Sequence, residues 1–223
     1  MIYYTPVPIE EHDDLLGPNF ASNFAQEMKA YYAPFANKGR PIQISKETWE
    51  YAVADSIPGG KWIGAGKSVI DVSTPKINID VKGLSCGSLN STSTEASILQ
   101  NNKLASDNMA RLYENSEFEL LKEMFVDPLK DKVKKAGNLY VLCAIRHKLS
   151  TDKFDVYYCL YKVAETDDNE FENKMFMDAT RSVSVPMIDS EYGKTYLYIP
   201  KRRLEIRVNM HGMRKYTKFS HSV

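Results

Sequence analysis

Three side chains of this chain stand at spacings that could do chemistry: Asp71, Asp80 and Lys82. Asp80 and Lys82 are two residues apart, so on a strand they project from one face, while Ile79 and Val81 turn to the other, toward a core. Asp71 stands near the end of an earlier apolar run, Val69-Ile70-Asp71-Val72, and Ser73-Thr74-Pro75-Lys76 reads as the turn of a hairpin between that run and Ile77-Asn78-Ile79-Asp80-Val81-Lys82. With a tight turn, Asp71 lies opposite Asn78 and diagonal to Asp80, within reach of a shared ion. Two acidic oxygen ligands suit a hard divalent cation such as Mg²⁺. A lysine beside such an ion orients a water or stabilises charge on a phosphate. That is the chemistry of phosphodiester hydrolysis. Acids that interrupt apolar β-branched runs need such a reason, because a charge buried without partners is costly. The plainer alternatives are a structural Asp–Lys pair at the end of a sheet, or an exposed hairpin of alternating charges.

The elements that must position these residues follow from periodicity. An amphipathic stretch covers 20–32, before Pro34, and a second helix covers 46–55 with Ser45 as N-cap and Trp49, Ala52 and Val53 along one side. Pro58-Gly59-Gly60 breaks the chain before the hairpin at 67–82. After a Ser/Thr/Gly/Asn-rich loop, 95–125 reads as a long helix from apolar residues at three- and four-residue steps, with Asn115-Ser116 a point where it can split. The unbroken apolar run 139–145 is typical of a central strand buried on both faces. Further strands follow at 154–163, 196–199 and 204–208. The tyrosines within them (Tyr157, Tyr158, Tyr161, Tyr196, Tyr198) read as core and sheet-face residues rather than base-stacking platforms.

The pattern Asp71, eight residues, Asp80-Val81-Lys82 resembles the D…(D/E)-x-K signature of the PD-(D/E)xK nucleases, of which type II restriction endonucleases are the best-known members. Ile70 stands where that family often has proline, which is not a ligand. The resemblance covers directly about residues 45–146. It implies an α/β fold, a restriction-endonuclease-like mixed β-sheet core flanked by helices, in which Asp71 and Asp80 hold Mg²⁺ with the Val81 carbonyl as an extra oxygen ligand. It also implies that Lys82 helps position or activate the attacking water. A third acid often joins such sites from an upstream helix. Glu47 and Glu50 are candidates, each also readable as a solvated helix-face charge, and Glu50 is the one kept.

On this reading the chain is a single nuclease domain over 1–223, with a catalytic core at about 45–163 and a basic, DNA-contacting C-terminal region at about 195–223. From residue 201 onward the charges are Lys201, Arg202, Arg203, Arg207, Arg214, Lys215 and Lys218 against Glu205 alone. A basic face on a chain of zero formal net charge is compatible with an enzyme that grips duplex DNA at one surface, and equally with a solvated tail. The loop 83–92 follows Lys82 directly, and Ser85, Ser88 and Asn90 bring small polar groups that can approach a phosphate backbone. Gln100, Asn101 and Asn102 have the chemistry to read base edges, or are ordinary polar helix positions. The resemblance implies a homodimer on double-stranded, palindromic DNA. Two other classes stay open: a repair or recombination nuclease of the same superfamily, and a non-catalytic DNA-binding protein.

Several chemistries have no support. Gly64-Ala65-Gly66-Lys67-Ser68 lacks the first glycine of a phosphate loop and leads into a strand rather than a helix, so no nucleotide cofactor is expected. The four histidines are dispersed with no zinc spacing, and no nucleophile elbow is present. Three scattered cysteines suggest neither a disulfide framework nor a zinc site, and fit a reducing, cytoplasmic setting. No apolar run is long enough to span a membrane, and the first residues do not read as a secretory signal.

Overall fold

The computed structural model describes residues 2–39, 44–64, 70–89, 94–100, 106–150, 153–165, 176–177, 183–184, 194–198, 203–208 and 212–223. The chain opens with β1 (Ile2–Pro6), followed by α1 (Ile9–Leu16), α2 (Phe20–Ala36) and α3 (Lys46–Ser56). α2 runs through Pro34 rather than ending before it. Proline removes one backbone donor, and the helix resumes at once with the Asn37 N–H on Ala33 O at 3.0 Å. α3 begins as its sequence dictates, with Ser45 Oγ accepting the Thr48 N–H at 3.2 Å.

Three strands come next: β2 (Lys61–Trp62), β3 (Val72–Ser73) and β4 (Asn78–Cys86). Then follows β5 (Thr94–Gln100), where periodicity predicted the start of a helix. The reason lies far away in the chain. A strand at 203–208 offers an antiparallel ladder that sets Leu99 opposite Leu204, Ala96 opposite Ile206 and Glu95 opposite Arg207. The helical pattern proper is carried by α4 (Ser106–Glu114) and α5 (Phe118–Ala136), split at Asn115-Ser116, where Ser116 has φ 59°. The remaining elements are β6 (Leu139–Lys148), β7 (Phe154–Glu165), β8 (Phe176–Met177), β9 (Val183–Ser184), β10 (Lys194–Tyr198), β11 (Arg203–Val208) and β12 (Thr217–Ser222).

Among the described residues, the main sheet has seven strands in the order β1-β7-β6-β4-β3-β2, with β12 also paired to β7. It is mixed: β4 and β6 run parallel and their other neighbours antiparallel. A smaller sheet, β10-β11-β5, is separate from it, as is the β8-β9 pair. Residues 139–145 are buried throughout, as a strand covered on both faces requires. Helices cover both faces. α1, α2 and α3 bring Leu16, Phe20, Phe24, Met28, Trp49 and Val53 against Ile79, Val81, Leu142 and Tyr158. α4 and α5 bring Leu112, Leu121 and Leu129 against Leu84, Val141, Cys143 and Tyr161. Phe20 meets Tyr158 edge-on, with ring centroids 4.8 Å apart, in the geometry aromatic quadrupoles favour. Tyr158 and Tyr161 are fully buried core residues, as predicted. Among the described residues no helix is long and apolar enough to cross a membrane, and Cys86, Cys143 and Cys159 are free and buried.

Candidate active site

The hairpin turn is set by Thr74, whose N–H and Oγ1 both donate to the Ile77 carbonyl, at 3.0 and 2.9 Å. The turn is therefore Thr74–Ile77, one residue later than the sequence suggested, and Asn78 faces Ser73 instead of Asp71. Only Val72–Ser73 of the first apolar run is strand. Asp71 precedes it, and its N–H donates to Ile79 O at 2.9 Å, the residue Val72 already faces. Two residues thus address one, as in a β-bulge, and the Asp71 side chain is re-aimed along β4. Its Oδ2 accepts the Val81 N–H at 2.8 Å, in the place of a ladder carbonyl. Asp71 O in turn accepts from the Ile63 N–H at 2.9 Å, which ties the segment after β2 to the site.

On β4, alternation holds as read. Ile79 and Val81 lie in the core beneath α2 and α3, and Asp80 and Lys82 project to the α5 side. Both are buried, at 3% and 9% exposure. Lys82 Nζ donates to Asp80 Oδ1 and lies 3.5 Å from the Val81 carbonyl. The other oxygen, Oδ2, accepts from Lys132 Nζ, which reaches in from α5. One buried carboxylate therefore holds two ammonium groups.

Glu50 corrects the reading of a solvated helix-face charge: it is 3% exposed, whereas Glu47 one turn earlier is exposed. Its Oε1 lies 2.9 Å from Lys46 Nζ, one turn back on α3, and its Oε2 accepts from the Trp62 Nε1–H at 3.0 Å. Lys46 Nζ is also 3.6 Å from Asp71 Oδ1. Glu50, Lys46, Asp71, Asp80, Lys82 and Lys132 thus form one chain of charges running from α3 over the edge of β4 to α5.

The chain sets the proton affinities. Burial, then the negative charge of Asp80, pushes the Asp71 carboxyl up to about 6, with Lys82 pulling against them. Burial acts on Asp80 in the same sense but is outweighed by Lys82 and Lys132, which hold its carboxyl well below the usual range. For Lys46, burial opposes the charged form, but the hydrogen bond to Glu50 and the charge of Asp71 prevail and its pKa rises. Two neighbouring carboxyls are driven apart, one ionised throughout and one titrating near neutrality.

Neither a protein-family model, nor a curated protein, nor a solved structure matches this chain.

The chemistry of the site rests on its donors. Asp71, Asp80 and the Val81 carbonyl are all oxygen ligands, suited to Mg²⁺, which keeps several waters and takes only one or two carboxylates. Among the described residues no group of three or more His, Cys, Asp and Glu gathers that could hold a metal ion. By donor type these oxygens are ones Mg²⁺ takes, and an ion there would share Asp80 with the two lysines that now hold it.

The other candidates lie elsewhere. The residues Gly83–Cys86 continue β4, so Ser85 is an exposed strand residue rather than part of a loop, and Ser88 is exposed just beyond it. Arg214 and Lys215 are exposed in a 3-10 turn before β12. Thr217 pairs with Cys159, Cys159 with Cys143 and Cys143 with Lys82, so this turn enters the sheet three strands, about 14 Å, from Lys82. Lys218 of the basic segment pairs with Asp13 of α1. Asn90, Asn101, Asn102, Lys201 and Arg202 lie outside the described residues. For Arg203 and Arg207 only the strand placement is described, and Gln100 ends β5 rather than standing on a helix.

Proposed function

We propose that the chain is a Mg²⁺-dependent endodeoxyribonuclease of the PD-(D/E)xK type, acting on double-stranded DNA as a type II restriction endonuclease. The observation that carries this reading is the convergence of Asp71, Asp80 and Lys82 at one spot of a mixed sheet, with Val81 N–H bonded to Asp71 and Lys82 bonded to Asp80. Asp71, Asp80 and the Val81 carbonyl are the residues that would hold Mg²⁺, which when bound supplies Lewis-acid stabilisation of the phosphate and a more acidic water. Lys82 offsets charge at the scissile phosphate and orients the attacking water. In the hydrolysis the water oxygen bonds to phosphorus, one P–O ester bond breaks, and a proton passes to the leaving sugar oxygen. Glu50, buried and hydrogen-bonded at both oxygens, orients Lys46 toward Asp71. Ser85 and Ser88 beyond the site, and Arg214 and Lys215 at the other side of the sheet, are offered as contacts to the duplex backbone. A two-fold dimer on a palindromic site is part of the proposal.

The test is incubation of the purified protein with unmethylated phage DNA, with Mg²⁺ and with EDTA. Discrete fragments only with Mg²⁺ are expected. A smear would retain the nuclease and reject the restriction reading. Intact DNA with Mg²⁺ and Mn²⁺ alike would reduce the cluster to a structural ion-pair network.

A further inference from the structure

Lys132, like Lys46 and Glu50, is a charged group of this cluster that the D…(D/E)-x-K pattern does not contain, and it is the one of the three that touches Asp80. It comes from α5, 52 residues after Asp80, and its side chain is 17% exposed. Its ammonium takes Asp80 Oδ2, while Lys82 takes Oδ1, so both oxygens of Asp80 are engaged by cations of the protein itself. Lys82 has no other place to go: it stands two residues from Asp80 on the same strand face, and it is buried. Lys132 carries its ammonium on a long flexible stem from α5, and its side chain is more exposed than that of Lys82, 17% against 10%. It is the removable one of the two.

We propose that Lys132 is a built-in stand-in for the divalent cation, holding Asp80 Oδ2 until the ion and a phosphate arrive and then transferring its ammonium to the phosphate. This inference rests on the nuclease reading above. The physical reason is charge balance. Asp71 and Asp80 without a cation would repel one another in a buried site, and the ammonium of Lys132 adds to the positive charge that Lys46 and Lys82 bring there. A divalent ion at the same carboxylate competes with it, since ammonium and metal seek the same oxygen. The displaced ammonium regains a partner when a phosphodiester enters, so the metal and DNA bind with positive coupling through one side chain. Lys132 is therefore a positioning residue for metal and substrate together.

The test uses Ca²⁺, which supports binding without cutting, measured by calorimetry on the full chain with and without a short duplex. Wild type is expected to bind Ca²⁺ weakly alone and at least fivefold more tightly with DNA. Lys132→Met, which keeps the stem and removes the charge, is expected to bind Ca²⁺ alone at least fivefold more tightly than wild type and to lose most of the gain from DNA. A merely structural lysine would weaken Ca²⁺ binding or leave it unchanged when replaced, and either result overturns the inference. A second readout needs no variant: amine acylation of the wild type, followed by mass spectrometry. Labelling of Lys132 should rise severalfold when Ca²⁺ alone is added, and unchanged labelling at saturating Ca²⁺ overturns the inference even where Lys132→Met does not fold. Failure of the two readings is distinguishable. Ca²⁺ binding that ignores Lys132 sinks only this inference. Ca²⁺ binding that displaces Lys132 in a protein that cuts no DNA upholds the exchange of ammonium for cation at Asp80 and sinks the nuclease. No Ca²⁺ binding by any form sinks both.

Discussion

The Val81 backbone N–H donates to Asp71 Oδ2 at 2.8 Å, so a side chain from one arm of the hairpin replaces a ladder carbonyl on the strand that carries Asp80 and Lys82. Through this bond the Asp71 carboxylate is tied to the backbone of β4, the strand that carries Asp80. The charges that meet there lead to three expectations, and the packing of β4 beside them to a fourth.

Lys82→Ala is expected to abolish cleavage, by at least a thousandfold in rate, while duplex binding in Ca²⁺ stays within a few-fold of wild type. In the proposed mechanism its ammonium acts on the reacting phosphate and water, and the loss of such a stabilising charge costs on the order of 10²–10³ or more in rate. Single-turnover cleavage and filter binding measure the two quantities. Normal cutting by this variant would remove Lys82 from the mechanism.

Asp80→Ala is expected to destabilise the fold by about 3–5 kcal/mol, because it leaves two partly buried ammonium groups facing each other without their carboxylate. Denaturant unfolding reads this directly. A double variant, Asp80→Ala with Lys132→Met, should recover part of the loss. If the single variant is as stable as wild type, the buried charge network has no role in holding the sheet edge.

Asp71 gives the pH dependence. Its folded-state proton affinity is raised, to about 6, so its protonated form stabilises the fold. That contribution is full below the ordinary carboxylate range and is lost as pH rises through about 6. Asp80 has the opposite sign: its affinity is lowered, and its contribution is lost only in strong acid. Asp71→Asn should therefore be more stable than wild type at pH 8, by on the order of 1–3 kcal/mol, and no different at pH 4. Cation binding needs the ionised form, so Ca²⁺ affinity of the wild type should fall as pH drops from 7 to 5. Thermal unfolding and calorimetry across that range test both signs.

Gly83→Ala is expected to cost about 1–3 kcal/mol and to slow cleavage, because a Cβ at that position would overlap the indole of Trp49 in the core. Gly83 follows Lys82 on β4, so a shift there moves the site as well as the core. A Tm unchanged from wild type would mean that α3 can withdraw without consequence.

The sequence by itself determined the strand that carries Asp80 and Lys82 and the face from which they project. Strict alternation in Asn78-Ile79-Asp80-Val81-Lys82 puts two apolar residues in one core and the acid and lysine on the opposite side, whatever the rest of the fold does. Ser45 likewise settled where α3 begins, and the apolar run 139–145 settled which strand is central. These are local properties, written in neighbouring residues. What the tertiary structure decided depends on partners distant in the chain. Residues 95–100 have a helical pattern but take the strand that β11 offers. Glu50 is buried and accepts from the Trp62 indole N–H, a partner 12 residues away that the sequence of α3 does not reveal, whereas Glu47 is exposed. Lys132 is one lysine among several on α5, and only the packing of that helix on the sheet chooses it to meet Asp80. A charge becomes part of a site when burial leaves it one available counter-charge, and burial is a property of the whole fold.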